Sequence, residues 1–134
     1  MRTNKDKQLL IHILEYCNRV EAAVKRIGTE EKLLADTFHQ DALAMPLAQI
    51  GELVRILSDE FKTAYGEIPW RKISGMRNHL IHGYGEIDWT EIWDTAISDI
   101  PEFKEKCTHI YNKISNQYRN SPFSAVFHLE GGFF

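Results

Sequence analysis

Apolar residues recur at helical spacing along most of the chain. Between residues 5 and 27, Leu9, Leu10, Ile13, Leu14, Cys17, Val20, Val24 and Ile27 follow the i, i+3, i+4, i+7 rhythm of an amphipathic helix, and Gly28 is its natural stop. Thr29 can cap a short helical turn running from Glu30 to Asp36, with two acids where a helix N-terminus favours them. A second series, Leu43, Leu47, Ile50, Leu53, Val54 and Leu57, has the same period and ends in the polar stretch that starts at Ser58. Pro46 falls inside it. A helix starting near Asp41 makes Pro46 a kink, and one starting at Met45 makes it a first-turn proline; the pattern leaves both open.

Ile68, Pro69 and Trp70 read as the opening of a third helix with Pro69 at its first position. Ile73, Met76, Leu80 and Ile81 form its expected buried stripe, and Gly83 and Gly85 end it. Asp88, with Glu91 three residues later, has the pattern of a capping box, and Ile92, Trp93 and Ile97 are expected to point inward. Pro101 interrupts or restarts that helix, after which Phe103, Cys107, Ile110, Tyr111 and Ile114 carry it to about Arg119. No stretch alternates as a strand and no repeat is present. The expectation is an all-α, up-and-down bundle of four to five helices over residues 1–119. Residues 120–134 form an apolar tail with four phenylalanines and no helical period, of the kind that docks on its own domain or on a partner.

Composition narrows this picture. A chain of 134 residues, 43% hydrophobic and 26% charged, fits one globular domain and is far from the mixture found in disordered chains. Its two cysteines, Cys17 and Cys107, lie too far apart in sequence for a zinc or redox motif and read as buried thiols of a cytoplasmic protein. The N-terminal apolar run is broken by His12, Glu15, Asn18 and Arg19, so neither a signal peptide nor a membrane span is expected.

The formal net charge of -3 argues against a protein that coats nucleic acid through a general basic surface. The charge is segregated, however. From Trp70 to Tyr84 the charged residues are Arg71, Lys72 and Arg77, joined by titratable His79 and His82, whereas Glu86 to Lys106 holds seven acids against Lys104 and Lys106. A local basic site is compatible with this.

Most catalytic signatures are absent: there is no Walker loop, dinucleotide-binding glycine pattern, nucleophile elbow or HExxH. No cofactor is expected. His79 and His82 are three apart, but no nearby carboxylate or thiolate completes a ligand set, so no metal site is expected either. Arg77 and His82, five apart, diverge by about 140° on a regular helix, whereas Asn78 and His82 share a face. Gly83 lets the chain leave helical geometry, so that Arg77, Asn78, His82 and Tyr84 converge at the helix end; alternatively a neighbouring subunit supplies the convergence. A purely structural reading pairs Arg77 with an acid such as Glu52 and has His82 cap its helix. Trp70, Trp89 and Trp93 offer stacking surfaces, but tryptophans at helical spacing belong more often to the core.

The spacing Arg77, His82, Tyr84 within IPWRKISGMRNHLIHGYGEIDWTEIW, preceded by LAQIGELVRILSDEF, resembles the HepT-like branch of the HEPN superfamily. The resemblance runs from about Leu9 to Ile114, with Gly51 and Glu52 at the expected upstream place. It implies an all-α bundle that forms a homodimer, bringing two Arg-His motifs together across a cleft. It implies the toxin half of a two-gene module whose antitoxin is a minimal nucleotidyltransferase. It further implies metal-independent cleavage of an RNA substrate, with Tyr84 at the position that accepts AMP from the antitoxin. On this reading His82 is the catalytic acid and base, Arg77 the phosphate ligand, and Asn78 and His79 supporting residues. The competing expectation is a non-catalytic HEPN module that binds nucleotide or scaffolds a nucleotidyltransferase.

Overall fold

The computed structural model describes residues 2–81 and 86–119, with side chains from 4 to 81 and 86 to 116. Among the described residues there are seven α-helical segments and no strand: α1 (Arg2–Ile27), α2 (Glu30–Ala35), α3 (Thr37–Ile56), α4 (Asp59–Ala64), α5 (Trp70–Ile81), α6 (Trp89–Asp94) and α7 (Ile100–Arg119). A π-helical turn, Thr95–Asp99, joins α6 to α7 without a break, so the bundle consists of four long arms and two short connecting helices.

Local chemistry accounts for the boundaries. Gly28 takes φ +89, a left-handed conformation that a side chain would strain, and stops α1. Thr29 Oγ1 accepts from the Lys32 N–H at 3.2 Å to open α2, and Asp88 Oδ1 accepts from the Glu91 N–H at 3.2 Å to open α6. α3 begins upstream of both starts considered for it, because Asp36 Oδ1 caps the Phe38 N–H at 2.8 Å. Pro46 is therefore a buried mid-helix proline, and the Ala42 carbonyl goes without its usual i+4 donor. Pro69 precedes α5 by one residue, and its carbonyl accepts from the Ile73 N–H at 3.1 Å.

Pro101 neither ends nor restarts its helix. In the π-helical turn before it the Ile100 N–H reaches back five residues to the Thr95 carbonyl. The wider turn makes room for a ring that would press on a regular preceding turn. It also shifts the phase of the helix: Ala96 and Ile100 are buried, whereas Ile97, expected inside, faces solvent.

The core lies where α1 packs against α3 and α7, and α3 in turn against α5. Leu10, Ile13, Cys17 and Val20 of α1 meet Leu43, Leu47, Ile50 and Val54 of α3 and Ile100, Cys107 and Ile110 of α7, all buried. Trp70 and Trp93 belong to this core and Trp89 packs against it, in keeping with their helical spacing. Both thiols are buried and unbridged. Burial pushes the Cys17 thiol up to about 12 and raises Cys107 as well.

Two links that the apolar pattern does not reveal orient the arms. Asp6 on α1 is only 4% exposed. It accepts from the Ser58 N–H at 2.9 Å and from its hydroxyl at 2.6 Å, while Ser58 Oγ caps the Phe61 N–H at 3.2 Å. The start of α1 is thereby tied to the start of α4. Trp70 donates its indole N–H to the Tyr65 carbonyl at 3.0 Å and packs between Phe61 and Phe103 at 5.8 and 5.9 Å between ring centroids, which fixes the N-terminal end of α5.

Candidate functional site

The segment singled out by its chemistry begins in α5. Trp70, Ile73 and Leu80 are its buried residues, and the 3-4-3 spacing they define places Arg77 among them. The inward stripe is thus Trp70, Ile73, Arg77, Leu80 rather than Ile73, Met76, Leu80, Ile81: Met76 is only partly buried, and Ile81 is 51% exposed. An arginine occupies a position where helical periodicity calls for an apolar side chain. A cation at that position favours an anion on the facing helix.

Glu52 of α3 supplies it. Its Oε2 lies 3.0 Å from Arg77 Nε. The approach depends on the preceding residue: a Cβ at Gly51 would lie 3.0 Å from the Arg77 backbone nitrogen, 3.2 Å from Arg77 Cβ and 3.2 Å from the Ile73 carbonyl oxygen. A side chain there would force α3 and α5 apart by a few tenths of an ångström. Asn78 Oδ1 accepts from Arg77 Nη1 at 3.1 Å, which orients its amide N–H2 as a donor. Arg55, one turn beyond Glu52 on α3, bonds the same carboxylate through Nη2 to Oε1 at 2.5 Å and Nε to Oε2 at 3.3 Å. These contacts, the hydrogen bonds from Arg55 above all, hold the Glu52 carboxyl below the ordinary glutamate range. A depressed pKa keeps Glu52 ionised at neutral pH, and its pairs are lost only as pH falls through that lowered value.

Arg77 is partly accessible, with 36% of its side chain exposed. Asn78 and His79 stand in solvent. Arg77, Asn78, Glu52 and Arg55 therefore form one polar cluster at the surface of the α3–α5 contact. His82, Gly83, Tyr84 and Gly85 lie outside the described residues, as do residues 120–134, so the expected convergence of His82 and Tyr84 on Arg77 and the docking of the tail are not described. Among the described residues no three His, Cys, Asp or Glu side chains gather as metal ligands. The Arg77–Glu52 pair is the structural alternative stated for Arg77, whereas Arg55 and the Arg77–Asn78 bond are not among the expectations. The i, i+3 spacing of Glu52 and Arg55 is a signal that could have pointed to their pairing.

Four helical arms, with a polar arginine cluster where α5 crosses α3, define an all-α bundle. The family model described as "Ribonuclease HepT-like" matches residues 13–110, and the chain belongs to this family. It is 36% identical over 104 residues to a Caldanaerobacter subterraneus subsp. tengcongensis protein named "Putative RNase", covering 78% of this chain and 92% of that protein. It is 36% identical over 105 residues to a Thermococcus cleftensis protein named "Probable ribonuclease HepT", covering 78% and 93%. It is 32% identical over 115 residues to another "Putative RNase" from Methanocaldococcus jannaschii, covering 86% and 94%. No solved structure matches. Among the described residues no helix is long and apolar enough to cross a membrane.

Proposed function

We propose that this chain is the toxin of a toxin-antitoxin pair, a cytoplasmic metal-independent endoribonuclease that acts as a homodimer, with residues 1–119 as its catalytic domain and 120–134 as an appended tail. The observation that carries the reading is Arg77: a guanidinium on the inward stripe of α5, held at the surface by Glu52, at the head of the RNHLIHGY segment in a HepT-like ribonuclease.

Cleavage needs a base for the ribose 2'-hydroxyl, positive charge on the pentavalent phosphate and an acid for the departing 5'-oxygen. His82 of one subunit takes the 2'-proton and His82 of the other protonates the leaving oxygen, producing a 2',3'-cyclic phosphate. Histidine suits both tasks because its ordinary pKa, about 6.5, lies close to neutrality. Arg77 binds the phosphate through the Nη edge of its guanidinium, opposite the Nε held by Glu52, and Asn78 donates its amide hydrogens to a phosphate oxygen or to His82. His79, exposed on the same turn, contacts RNA.

Self-association has support in the outer face of α3. Phe38, Met45, Glu52 and Ile56 fall within about 40° of one another on a helical wheel. Phe38 is 77% and Met45 61% exposed. A second copy seated there would cover apolar surface and bring two Arg77 clusters together. Control comes from a minimal nucleotidyltransferase that attaches AMP to Tyr84. The adduct sets a bulky phosphodiester two residues from His82, where it neutralises Arg77 and blocks RNA.

Expressing the chain without its antitoxin tests the reading: growth arrest with accumulating RNA fragments is expected, and His82→Ala and Arg77→Ala should each abolish both. Arrest that survives His82→Ala would favour the non-catalytic scaffold, the reading to which the Arg77–Glu52 ion pair is equally natural.

A further inference from the structure

On the ribonuclease reading above, we infer that Glu52 is a positioning residue for cleavage, acting through Arg77, and that Gly51 is the spacer that lets it do so. Three observations carry this. Arg77 lies on the inward stripe of α5, where a long flexible cation has no apolar reason to stay and where Glu52 is the one opposing charge paired with it among the described residues. The Glu52 carboxylate lies 3.0 Å from Arg77 Nε while Asn78 Oδ1 accepts from Nη1, so the guanidinium is held from two sides at the surface of the α3–α5 contact. Arg55 donates to both oxygens of the same carboxylate, sharing Oε2 with Arg77, so Glu52 is itself held in place.

The sign of the electrostatics separates this role from simple charge balance. An anion 3.0 Å from the phosphate ligand opposes the binding of polyanionic RNA. If Glu52 did nothing but neutralise Arg77, removing its charge would tighten RNA binding and leave the turnover rate unchanged or higher. If it positions Arg77, removing the charge leaves binding equal or tighter while turnover falls, because a guanidinium that wanders by about 1 Å loses the transition-state contact. Gly51→Ala tests the same geometry from the backbone, since its Cβ would stand 3.0 Å from the Arg77 nitrogen and force α5 to give by a few tenths of an ångström, and turnover is expected to fall.

The experiment uses the full chain with a fluorogenic mixed-sequence oligoribonucleotide under enzyme excess for rates, a 2'-O-methyl version of the same oligonucleotide for affinity, and thermal melting for folding. Glu52→Gln is expected to lower turnover about 10- to 100-fold with RNA affinity unchanged or increased, and Glu52→Asp to recover part of the loss. Arg77→Ala is expected to be no slower when combined with Glu52→Gln, because both changes remove one function. If Glu52→Gln lowers the melting temperature severely, Glu52→Asp carries the same turnover-against-affinity comparison. Wild-type turnover in Glu52→Gln beside an inactive Arg77→Ala overturns the positioning role and leaves the ribonuclease reading intact. Losses that multiply in the double variant also overturn it. Wild-type cleavage by Arg77→Ala overturns both.

Discussion

At its N-terminal end α5 is anchored: Trp70 donates to the Tyr65 carbonyl and sits between Phe61 and Phe103, and Ile73 is buried behind it. Two turns later the same helix presents Asn78, His79 and Ile81 to solvent, and its inward position is taken by Arg77 with a carboxylate for company. The contrast shows how a short helix serves two purposes. Apolar packing at one end sets its direction rigidly, so that polar groups at the other end can be placed without contributing much to stability themselves.

The comparison breaks most visibly at the anchored end. Trp70→Ala removes a buried indole and its hydrogen bond and is expected to destabilise the fold by about 3–5 kcal/mol, read as a lower urea midpoint with cleavage per folded molecule preserved. The opposite pattern is expected at the other end. Arg77→Ala should cost about 10²- to 10³-fold in cleavage rate, with a melting temperature close to wild type because its partner Glu52 remains accessible to water. A variant at either end that lowered both quantities together would erase the division.

The apolar rhythm of the sequence was sufficient for the bundle, because α1, α3 and α7 carry the 3.6-residue period on which their burial depends. Caps at Thr29 and Asp88 and the stop at Gly28 were equally legible, each being a local interaction. Three features were not. α3 begins with residues that include the 77% exposed Phe38, so its first turns carry no inward series for a periodicity argument to find. The buried Asp6 reads as a surface acid until Ser58, far along the chain, is placed beside it. The stripe of α5 was misread because a stripe defined by apolar residues passes over Arg77 and takes in Met76 and Ile81 instead. The candidate site stands out in the sequence as a cluster of residue types and as a family resemblance, and the i, i+3 spacing of Glu52 and Arg55 hints at their pairing, whereas the Arg77–Asn78 bond is seen only in the structure.

A smaller effect sharpens the contrast from the core side. Cys17 and Cys107 are buried, with the Cys17 thiol pushed up to about 12 by desolvation. A raised pKa favours the neutral thiol, so the reactive thiolate is scarce at any pH below that value. Neither cysteine should react with a disulfide reagent at pH 8 in the folded protein, and both should react in denaturant. Prompt labelling of the native chain would show that the α1–α7 contact opens.

The central claim is that Arg77 and His82 cleave RNA by attack of its own 2'-hydroxyl. The most direct measurement is mass analysis of the ends formed when the purified full chain cuts a defined oligoribonucleotide in excess EDTA. Fragments ending in a 2',3'-cyclic phosphate, paired with 5'-hydroxyl fragments and missing with His82→Ala, are the expected result. Cleavage that stops in EDTA, or fragments bearing 5'-phosphates and 3'-hydroxyls, would contradict it.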